Sequence, residues 1–406
     1  MESIPTSKQV SLRVRLSSVA ERIVRQGHPW VFADSIKSQN RPAQSGELAL
    51  IFDRHDTFMA LGLHDPDSPI RIRVLHVGKP VRVEPAWWQG RLEQSLSRRV
   101  GLFDEKNTGL RLIHGESDGW PGLVLDRYEN TLVLKLYTSA WFPHLPMLQT
   151  LFQQTLQPER LILRLSRNIQ EAAARHSLQD GRILFGENLE GSVIFKESDL
   201  KLYADVIKGQ KTGFFLDQRE NRRRVETLAQ GRRVLNLFSF SGGFSLYAAR
   251  GGASHVSSVD ISAHALAELK RNWEANQDQN GILNCPHTEI QADVFSWLEQ
   301  CRDTYDLIVI DPPSLAKREK EREGALKAYE RLIQLGLARL NSRGVLVAAS
   351  CSAHVSSSEF FECARHCLRQ EGRVYQELET STHAPDHPIS IPEMAYLKAI
   401  YFRLSC

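Results

Sequence analysis

Residues 305–314 read Tyr-Asp-Leu-Ile-Val-Ile-Asp-Pro-Pro-Ser, and residues 345–352 read Val-Leu-Val-Ala-Ala-Ser-Cys-Ser. Each is an apolar run that ends abruptly in reactive polar groups. Strands of parallel sheets end in this way at their carboxyl edge, where open α/β sheets bind ligands. The first run delivers Asp311 beside two prolines, and the second delivers Cys351 between two serines. A carboxylate and a thiol at one edge predict a site that holds and attacks a flat heterocyclic base.

The two runs belong to a longer alternation of strand and helix patterns that begins near residue 233. Such alternation is typical of a doubly wound parallel sheet, a Rossmann-like domain of the α/β class. Helices are predicted over 263–276 and 325–340. Strands are predicted at 233–238, 255–259 and 288–293, at the two quoted runs, and at 373–375 and 396–402, the last two forming the final edge of the sheet.

Two different patterns precede this domain. Residues 10–78 show short alternating runs between Gly and Pro turns, which predicts a small β-rich barrel. The following residues mix helical patterns, at 85–102 and 145–156, with strand patterns, which predicts a central α+β domain. Because 406 residues exceed the size of a single core, we expect three domains, over 1–80, 81–199 and 200–406.

The composition is that of an ordinary globular protein, with 42% hydrophobic and 24% charged residues. No apolar run approaches the roughly 20 residues that span a bilayer. The N-terminus also lacks a basic segment followed by an apolar one. We therefore expect a cytoplasmic protein without a membrane partner. The net charge of +3 is only weak support for a polyanionic partner.

The cysteines argue against a secreted disulfide scaffold, because all six lie in the last third of a large chain. Cys363 and Cys367 stand four apart on a predicted helix with His366 between them, which makes a metal site conceivable. No second ligand pair stands nearby, so we interpret both as structural thiols and expect no metal. The six are Cys285, Cys301, Cys351, Cys363, Cys367 and Cys406.

The turn from Phe238 to Gly243 follows a predicted strand and opens a helix, and its glycines let a ligand approach the backbone. It lacks the G-x-G-x-x-G spacing of a pyrophosphate cradle, so a nucleoside cofactor without pyrophosphate fits better. Asp260, which ends the second strand, can accept both hydroxyls of a ribose. Asp293, after the third strand, can bond an adenine amine. This set suits S-adenosylmethionine, and tight turns with helix-capping aspartates are the alternative interpretation.

Motifs along nearly the whole chain resemble one known family. They are Gly27-His28-Pro29-Trp30-Val31-Phe32, Gly115-Glu116-Ser117-Asp118-Gly119-Trp120-Pro121-Gly122, Lys211-Thr212-Gly213-Phe214-Phe215-Leu216-Asp217-Gln218-Arg219, Asp386-His387-Pro388 and Tyr396-Leu397-Lys398. With them the chain resembles the class I methyltransferases that form 5-methylcytosine in large-subunit ribosomal RNA, the group of ribosomal RNA large-subunit methyltransferase I. The resemblance implies an RNA-binding PUA domain, a central mixed domain and a C-terminal domain that binds S-adenosylmethionine. Ribosomal RNA is then the expected partner, and a homodimer is left open.

The resemblance also implies roles for single residues. It puts Cys351 at the family's nucleophile and the turn, Asp260 and Asp293 at the cofactor. Residues 211–219 resemble a cofactor lid, although Phe214 and Phe215 could instead pack at a domain junction. The expected cofactor-binding residues are Phe238, Ser239, Ser241, Gly242, Gly243, Asp260, Ile261, Asp293, Val294, Asp311, Thr212 and Phe214.

The chemistry of cytosine agrees with these roles. Carbon 5 is too weak a nucleophile to attack a methyl sulfonium until a thiolate adds at carbon 6 and supplies electron density. We interpret Cys351 as that thiolate and Asp311 as the group that hydrogen-bonds the base while charge builds on it. The base that removes the carbon-5 proton is not identified by the sequence. His354 and His387 are candidates, although each also fits a surface or capping role.

Two other functions stay open. Many RNA 5-methylcytosine enzymes have a second cysteine directly after the two prolines, where this chain has Ser314, and the family it resembles lacks that cysteine too. Asp-Pro-Pro followed by a polar residue also resembles the motif of amino-group methyltransferases acting on adenine or guanine. A noncatalytic RNA-binding protein is the third hypothesis. The presence of Asp260, Asp311 and Cys351 together argues against it.

Two groups of arginines are candidates for phosphate contacts with RNA. Their alternative role is ion pairing at a solvated surface. The mixed-charge segment 317–322, which follows the Asp311 motif, is expected to be a loop or the start of a helix. The arginines are Arg219, Arg222, Arg223 and Arg224 before the first Rossmann strand, and Arg13, Arg15, Arg71 and Arg73 in the N-terminal domain.

Overall fold

The computed structural model describes residues 11–405 and divides them into two compact units. The first unit consists of residues 11–102, 110–193 and 205–214, and the second of residues 103–109, 194–204 and 215–405. The expectations for the extreme N-terminus and for Cys406 lie outside the described residues. The three-domain boundaries at 80 and 199 stay predictions.

The first unit begins with a mixed six-stranded sheet in the order β2-β6-β5-β4-β1-β3. Strands β1 and β4 are parallel, and β5 is antiparallel to both β4 and β6. In β1, Leu12, Val14 and Leu16 are buried while the arginines between them are exposed, as the alternating sequence predicts. The elements are β1 (Leu12–Leu16), α1 (Ser18–Arg25), β2 (Trp30–Phe32), β3 (Ile36–Gln39), β4 (Leu48–Phe52), β5 (Phe58–His64) and β6 (Ile70–Val77).

A five-stranded sheet in the order β11-β10-β9-β8-β7 completes the first unit. Its core contains three tryptophans, Trp88, Trp120 and Trp141, whose ring centroids lie 5.3 to 6.0 Å apart. The predicted helix over 145–156 is confirmed, and the one over 85–102 ends earlier, at Ser97. The elements are α2 (Pro85–Ser97), β7 (Gly109–His114), β8 (Leu123–Tyr128), β9 (Thr131–Leu136), α3 (Leu145–Leu156), β10 (Arg160–Leu165), α4 (Gln170–Arg175) and β11 (Arg182–Phe185).

The second unit contains the two-stranded sheet β12-β13 and a seven-stranded sheet flanked by helices. This alternation confirms the predicted α/β class. The mixed-charge segment 317–322 forms a short 3₁₀ turn that leads into α10. The elements are β12 (Val193–Glu197), β13 (Leu200–Ala204), α5 (Arg219–Leu228), β14 (Arg233–Leu237), α6 (Gly243–Arg250), β15 (His255–Asp260), α7 (Ala263–Glu274), α8 (Asn280–Leu283), β16 (His287–Gln291), α9 (Val294–Gln300), β17 (Tyr305–Ile310), α10 (Arg322–Leu337), β18 (Leu340–Ser350), α11 (Ser357–Gln370), β19 (Tyr375–Ser381) and β20 (Lys398–Leu404).

The large sheet has the order β16-β15-β14-β17-β18-β20-β19. Strands β14 to β18 run parallel to one another, whereas β20 is antiparallel to both β18 and β19. The prediction that the two late strands form the final edge of the sheet is confirmed, with β19 outermost and β20 between β18 and β19. Residues 398–402 of β20 are buried without interruption, as in a strand whose sheet is covered on both faces, whereas β19 is partly exposed, as an outermost strand can be.

No helix among residues 11–405 is long and apolar enough to cross a membrane.

A buried ion pair anchors α5 to the β12-β13 sheet within the second unit. Arg222 donates two hydrogen bonds, of 2.7 and 2.6 Å, to the carboxylate of Glu197. The hydroxyl of Tyr247 on α6 donates a third, of 3.1 Å, to the same carboxylate. All three side chains are buried. Because the pair is bidentate and desolvated, removal of one partner leaves the other charge without compensation.

We expect Arg222→Met to lower the free energy of unfolding by about 3–5 kcal/mol, the cost of orphaning a buried carboxylate. The matched control is Arg224→Met on the same helix, because Arg224 pairs with Glu379 while both side chains are 38–40% exposed. Such an exposed pair is worth about 1 kcal/mol or less. Urea unfolding of the two variants measures the difference, and equal losses would contradict the anchoring role.

Candidate active site

The candidate site lies in the second unit, at the point where the strand order of the large sheet reverses. Strands β14 and β17 are parallel neighbours, but the chain passes from β14 outward to β16 before it returns to β17. The turn from Phe238 to Gly243 continues β14, Asp311 continues β17, and Cys351 continues the adjacent β18. Open α/β sheets bind ligands at such a reversal. The structure thus brings these predicted site residues to one edge.

The backbone of the turn is held in an unusual conformation. Phe238 and Phe240 have positive φ angles of 57° and 47°, which cost bulky residues about 1–3 kcal/mol each and occur mainly at functional sites. Gly242, with φ of 82°, is the N-cap of α6, and a Cβ atom there would lie 2.5 Å from Cγ of Leu269. Only glycine fits at this position, because a side chain there would collide with Leu269.

Two buried hydroxyl groups in the turn lack partners. Ser239 and Ser241 are 5% and 1% exposed, and neither Oγ atom has a hydrogen-bond partner among the described residues. The Oδ1 atom of Asn236, on β14 just before the turn, is also buried and has no hydrogen-bond partner among the described residues. An unsatisfied buried polar atom costs free energy. A ligand with polar groups, such as the amino acid end of S-adenosylmethionine, would satisfy these atoms.

Asp260 ends β15 beside the turn. Its Oδ2 accepts a 2.9 Å hydrogen bond from the amide of Phe240, and its Oδ1 accepts a 2.8 Å bond from the amide of Ser262. The carboxylate therefore braces the turn as well as facing the edge of the sheet. A carboxylate has about four acceptor positions, so acceptor capacity remains after these two bonds, and a contact of Asp260 with a ribose stays a prediction. Ile261 next to it is 66% exposed, a position that a planar ring can cover.

Asp293 caps α9, as the capping interpretation predicts. Its Oδ1 accepts hydrogen bonds of 3.0 Å from both the amide and the hydroxyl of Ser296. The amide bond from Ser296, helped by the hydroxyl, lowers the pKa of Asp293, so the group is anionic at neutral pH. Val294 behind it is buried. A contact of Asp293 with a cofactor stays a prediction.

The carboxylate of Asp311 is oriented by a residue that the sequence reasoning did not single out. The side-chain amide of Gln218 donates a 2.9 Å hydrogen bond to Oδ2 of Asp311, and its own oxygen accepts a 2.5 Å bond from Asn221. Asn221 in turn accepts a 2.8 Å bond from the hydroxyl of Tyr401. Gln218 lies within a motif of the family resemblance, but nothing local in the sequence marks its partner 93 residues away.

Cys351 is half-buried beside the loop that follows β17. Its Sγ lies 3.8 Å from the carbonyl oxygen of Pro312, toward which the thiol points. The neighbouring hydroxyl of Ser352 accepts hydrogen bonds from the amides of Leu315, at 3.0 Å, and Ala316, at 3.2 Å. The loops that carry Asp311 and Cys351 are therefore bonded to each other.

Lys398 on β20 is a second residue whose position the sequence reasoning missed. Its ammonium donates a 2.6 Å hydrogen bond to the carbonyl of Ser352 and another to that of Val355. The side chain is fully buried, and burial lowers the pKa of Lys398 to about 8. The only sequence signal was its place at the end of the Tyr396 to Lys398 motif.

Thr212 and Phe214 belong to the first unit, unlike the other predicted cofactor residues. The hydroxyl of Thr212 donates to Asp126 and lies 3.0 Å from the hydroxyl of Tyr128. The amide of Phe214 donates a 3.2 Å bond to the same tyrosine oxygen. Both residues are buried in these contacts, and their cofactor contacts stay a prediction.

The arginine cluster on α5 is engaged in ion pairs. Arg219 is buried and pairs with buried Asp386 at 3.1 Å, and Arg222 holds Glu197. The interpretation of these two as phosphate contacts is wrong, because their guanidinium groups face inward to carboxylates. Arg223 and Arg224 pair with Glu220 and Glu379. In the first unit, Arg73 pairs with Glu116, whereas Arg13 and Arg15 remain about half exposed beside Asp56.

The two histidine candidates have different surroundings. His387 is buried, and its Nδ1 lies 3.1 Å from Asp386, the partner of Arg219. His354 is 40% exposed and its Nδ1 lies 3.3 Å from Glu319. His354 is therefore the more accessible of the two histidines. The role of either as a base stays a prediction.

The chain matches two sequence families. One, described as S-adenosylmethionine-dependent methyltransferase, matches residues 110–403, and the other, a PUA-like domain, matches residues 14–76. Among solved structures, an S-adenosylmethionine-dependent methyltransferase from Streptococcus mutans shares the fold. Its TM-score is 0.79 at 22% identity, with 96% of this chain and 99% of that chain covered.

Relatives of known name extend over the full length. A ribosomal RNA large subunit methyltransferase from Deinococcus radiodurans is 53% identical, with 99% of this chain and 100% of the relative covered. A ribosomal RNA large subunit methyltransferase I from an Enterobacter species is 34% identical, with 97% and 100% covered. The expected cofactor, S-adenosylmethionine, is thereby confirmed. The chain belongs to the S-adenosylmethionine-dependent methyltransferase family that includes these ribosomal RNA large subunit enzymes, and it carries a PUA-like domain near its N-terminus.

Proposed function

We propose that the protein methylates carbon 5 of a cytosine in the RNA of the large ribosomal subunit, through a covalent bond between Cys351 and the base. The observation that carries the proposal is the convergence of Cys351 and Asp311 at the reversal point of the sheet. The names of the relatives supply the class of RNA. A PUA-like domain in the same chain is consistent with an RNA substrate.

The turn after β14 and Asp260 would hold the cofactor. Ser239 and Ser241 present unsatisfied buried hydroxyls for its polar end, and Asp260 has acceptor positions left for the ribose hydroxyls. When bound, S-adenosylmethionine supplies an electrophilic methyl group. The remaining chemistry belongs to side chains of this protein and to the RNA base.

The first step is addition of the Cys351 thiolate to carbon 6, which forms the sulfur–carbon bond. The electron pair of the carbon 5–carbon 6 double bond moves into the ring, and carbon 5 becomes nucleophilic. In its protonated form, the carboxyl group of Asp311 would donate a hydrogen bond to the base where negative charge develops, at nitrogen 3 or the carbonyl oxygen. Gln218 holds the Oδ2 atom of Asp311 through a 2.9 Å hydrogen bond, which fixes the orientation of the carboxyl group. This fixed orientation lowers the reorganisation that the step requires.

The last step releases the enzyme. After carbon 5 has gained its methyl group, a base takes the proton from that carbon, and the freed electron pair restores the double bond. The sulfur–carbon bond breaks, and Cys351 leaves as a thiolate. The residue that acts as this base is not identified. Of the two histidine candidates, His354 is the more accessible.

Amino-group methylation is the second candidate function, and Ser314 is the observation that favours it. In that mechanism the Asp311 carboxylate and the Pro312 carbonyl would together accept from an exocyclic amine. Here the Pro312 carbonyl already faces the Cys351 thiol, and Ser314 donates a 3.1 Å hydrogen bond to the carbonyl of Ala316 within its own loop. The first contact involves the carbonyl that amino-group transfer would use, and the second gives Ser314 a partner within its own loop.

The direct test is the identity of the product. The protein is incubated with methyl-labelled S-adenosylmethionine and ribosomal RNA that lacks the modification, and the RNA is then digested to nucleosides and separated. We expect the label in 5-methylcytidine. Label in a methylated adenosine or guanosine would overturn the proposal and favour amino-group transfer, and an absence of label would favour the noncatalytic hypothesis.

We expect Asp260→Ala to weaken S-adenosylmethionine binding by about 1–3 kcal/mol, the cost of losing a charged hydrogen-bond partner. Asp260→Asn keeps an acceptor and should lose less. Asp278→Ala is the matched control, because Asp278 is 60% exposed and pairs with Lys201 on the surface. Calorimetric titration of S-adenosylmethionine measures all three, and unchanged affinity in Asp260→Ala would mean that other groups hold the ribose.

A further inference from the structure

Lys398 is a buried cation with an unusual set of partners. It is fully buried at the start of β20, and its Cα pairs in register with that of Ser350, one residue before Cys351. Its ammonium donates a 2.6 Å hydrogen bond to the carbonyl of Ser352 and another to that of Val355. Both acceptors are backbone carbonyls of the turn that directly follows Cys351.

No carboxylate lies within ion-pair distance of Lys398 among residues 11–405. Other deeply buried cations of the second unit are neutralised: Arg219 faces Asp386 and Arg222 faces Glu197. A buried ammonium without a counter-ion costs several kcal/mol, and replacement by an apolar side chain of similar length would remove that cost. Burial lowers the pKa of Lys398 to about 8, and attraction to Cys351 and Glu359 opposes the shift. A buried lysine that is kept despite this loss of folding stability indicates a functional role for its charge.

The turn that Lys398 holds carries the thiol. Within it, the amide of Val355 donates a 3.2 Å hydrogen bond to the carbonyl of Ser352, the same oxygen that accepts from Lys398. The hydroxyl of Ser352 is bonded to the loop after Asp311. The ammonium therefore fixes the chain on one side of Cys351, and its positive charge attracts an ionised Cys351.

We propose that Lys398 is a positioning residue that fixes the turn after Cys351 and serves as the counter-ion of the Cys351 thiolate. A thiol beside a lysine ionises more readily, and the thiolate is the nucleophilic form. The importance of this role for methyl transfer rests on the proposed function. The effect on the thiol itself does not, because it is measurable without RNA or methyl donor.

The other ionisable groups around the thiol do not supply this charge. Asp311, which follows β17, disfavours a nearby anion. Tyr329 on α10 is hydrogen-bonded to Ser350 and Ser352, and burial raises its pKa to about 12, so it stays neutral at physiological pH. Glu359 on α11 is acidic and pairs with Arg322. Lys398 is a cation whose charge interacts with Cys351, and it is charged below its pKa of about 8 and loses that charge as the pH rises through it.

The first test needs no variant. Alkylation of Cys351 by iodoacetamide is followed from pH 6 to pH 10 by mass spectrometry of the Cys351 peptide, in the native protein and in the protein unfolded by guanidinium. We expect the native rate to rise at a pH lower by about one unit, the scale of the shift a neighbouring cation causes. A native midpoint at or above the unfolded one would overturn the proposal.

The second test removes the charge. In Lys398→Met the alkylation midpoint should move up by about one unit, so that the rate at pH 7 falls about tenfold. Lys398→Arg keeps a cation and should stay within about threefold of the native rate. The matched control is Lys201→Met, which removes an exposed lysine paired with Asp278 and should leave the rate unchanged. Thermal unfolding of each variant checks that the protein is folded.

The two proposals fail in different ways. An unchanged alkylation profile in folded Lys398→Met would overturn the role of Lys398 even if the RNA product is 5-methylcytidine. Conversely, a shifted profile together with an amino-methylated product would support the role of Lys398 toward the thiol and overturn the proposed function. If Lys398→Met does not fold, the native and unfolded profiles still decide the question.

Discussion

A single buried hydroxyl group, Oγ of Ser352, joins the two loops on which the site depends. It accepts hydrogen bonds from the amides of Leu315 and Ala316 and lies 2.9 Å from the hydroxyl of Tyr329. Ser352 has no solvent exposure, so water does not compete for these bonds, and their net worth is greater than at a surface. Through this atom the position of Cys351 is set relative to Asp311. Neither loop has a regular hydrogen-bond ladder of its own at that point.

Buried charged side chains also help to hold the loops of Asp311 and Cys351 in place. Buried arginines on α5 are neutralised by carboxylates, which holds the helix and with it Gln218, the residue that orients Asp311. Lys398 lacks such neutralisation, and its charge is directed at the turn after Cys351. In this unit, the buried arginines of α5 are paired with carboxylates, whereas buried Lys398, near the thiol, is bonded to backbone carbonyls. The reactivity of the Cys351 thiol therefore reports directly on the effect of the Lys398 charge.

The strands and the residues at their ends could be predicted from the sequence, because apolar β-branched runs followed by polar residues are local signals. The order of β19 and β20 could not, since it depends on which strand finds two neighbours. The arginines of α5 were open to misinterpretation because their partners, Glu197 and Asp386, stand 25 and 167 residues away. Gln218 was missed for the same reason, as its role is defined only by contacts across the fold.

The most direct measurement of the central claim, that Cys351 bonds covalently to cytosine, uses RNA containing 5-fluorocytidine. Fluorine replaces the proton that must leave carbon 5, so the final elimination is blocked and the adduct persists. With S-adenosylmethionine present, we predict a stable protein–RNA complex whose digest carries the methylated nucleotide on the Cys351 peptide, and no complex with Cys351→Ala. Efficient methylation of the same RNA by Cys351→Ala, or an adduct on another residue, would contradict the account.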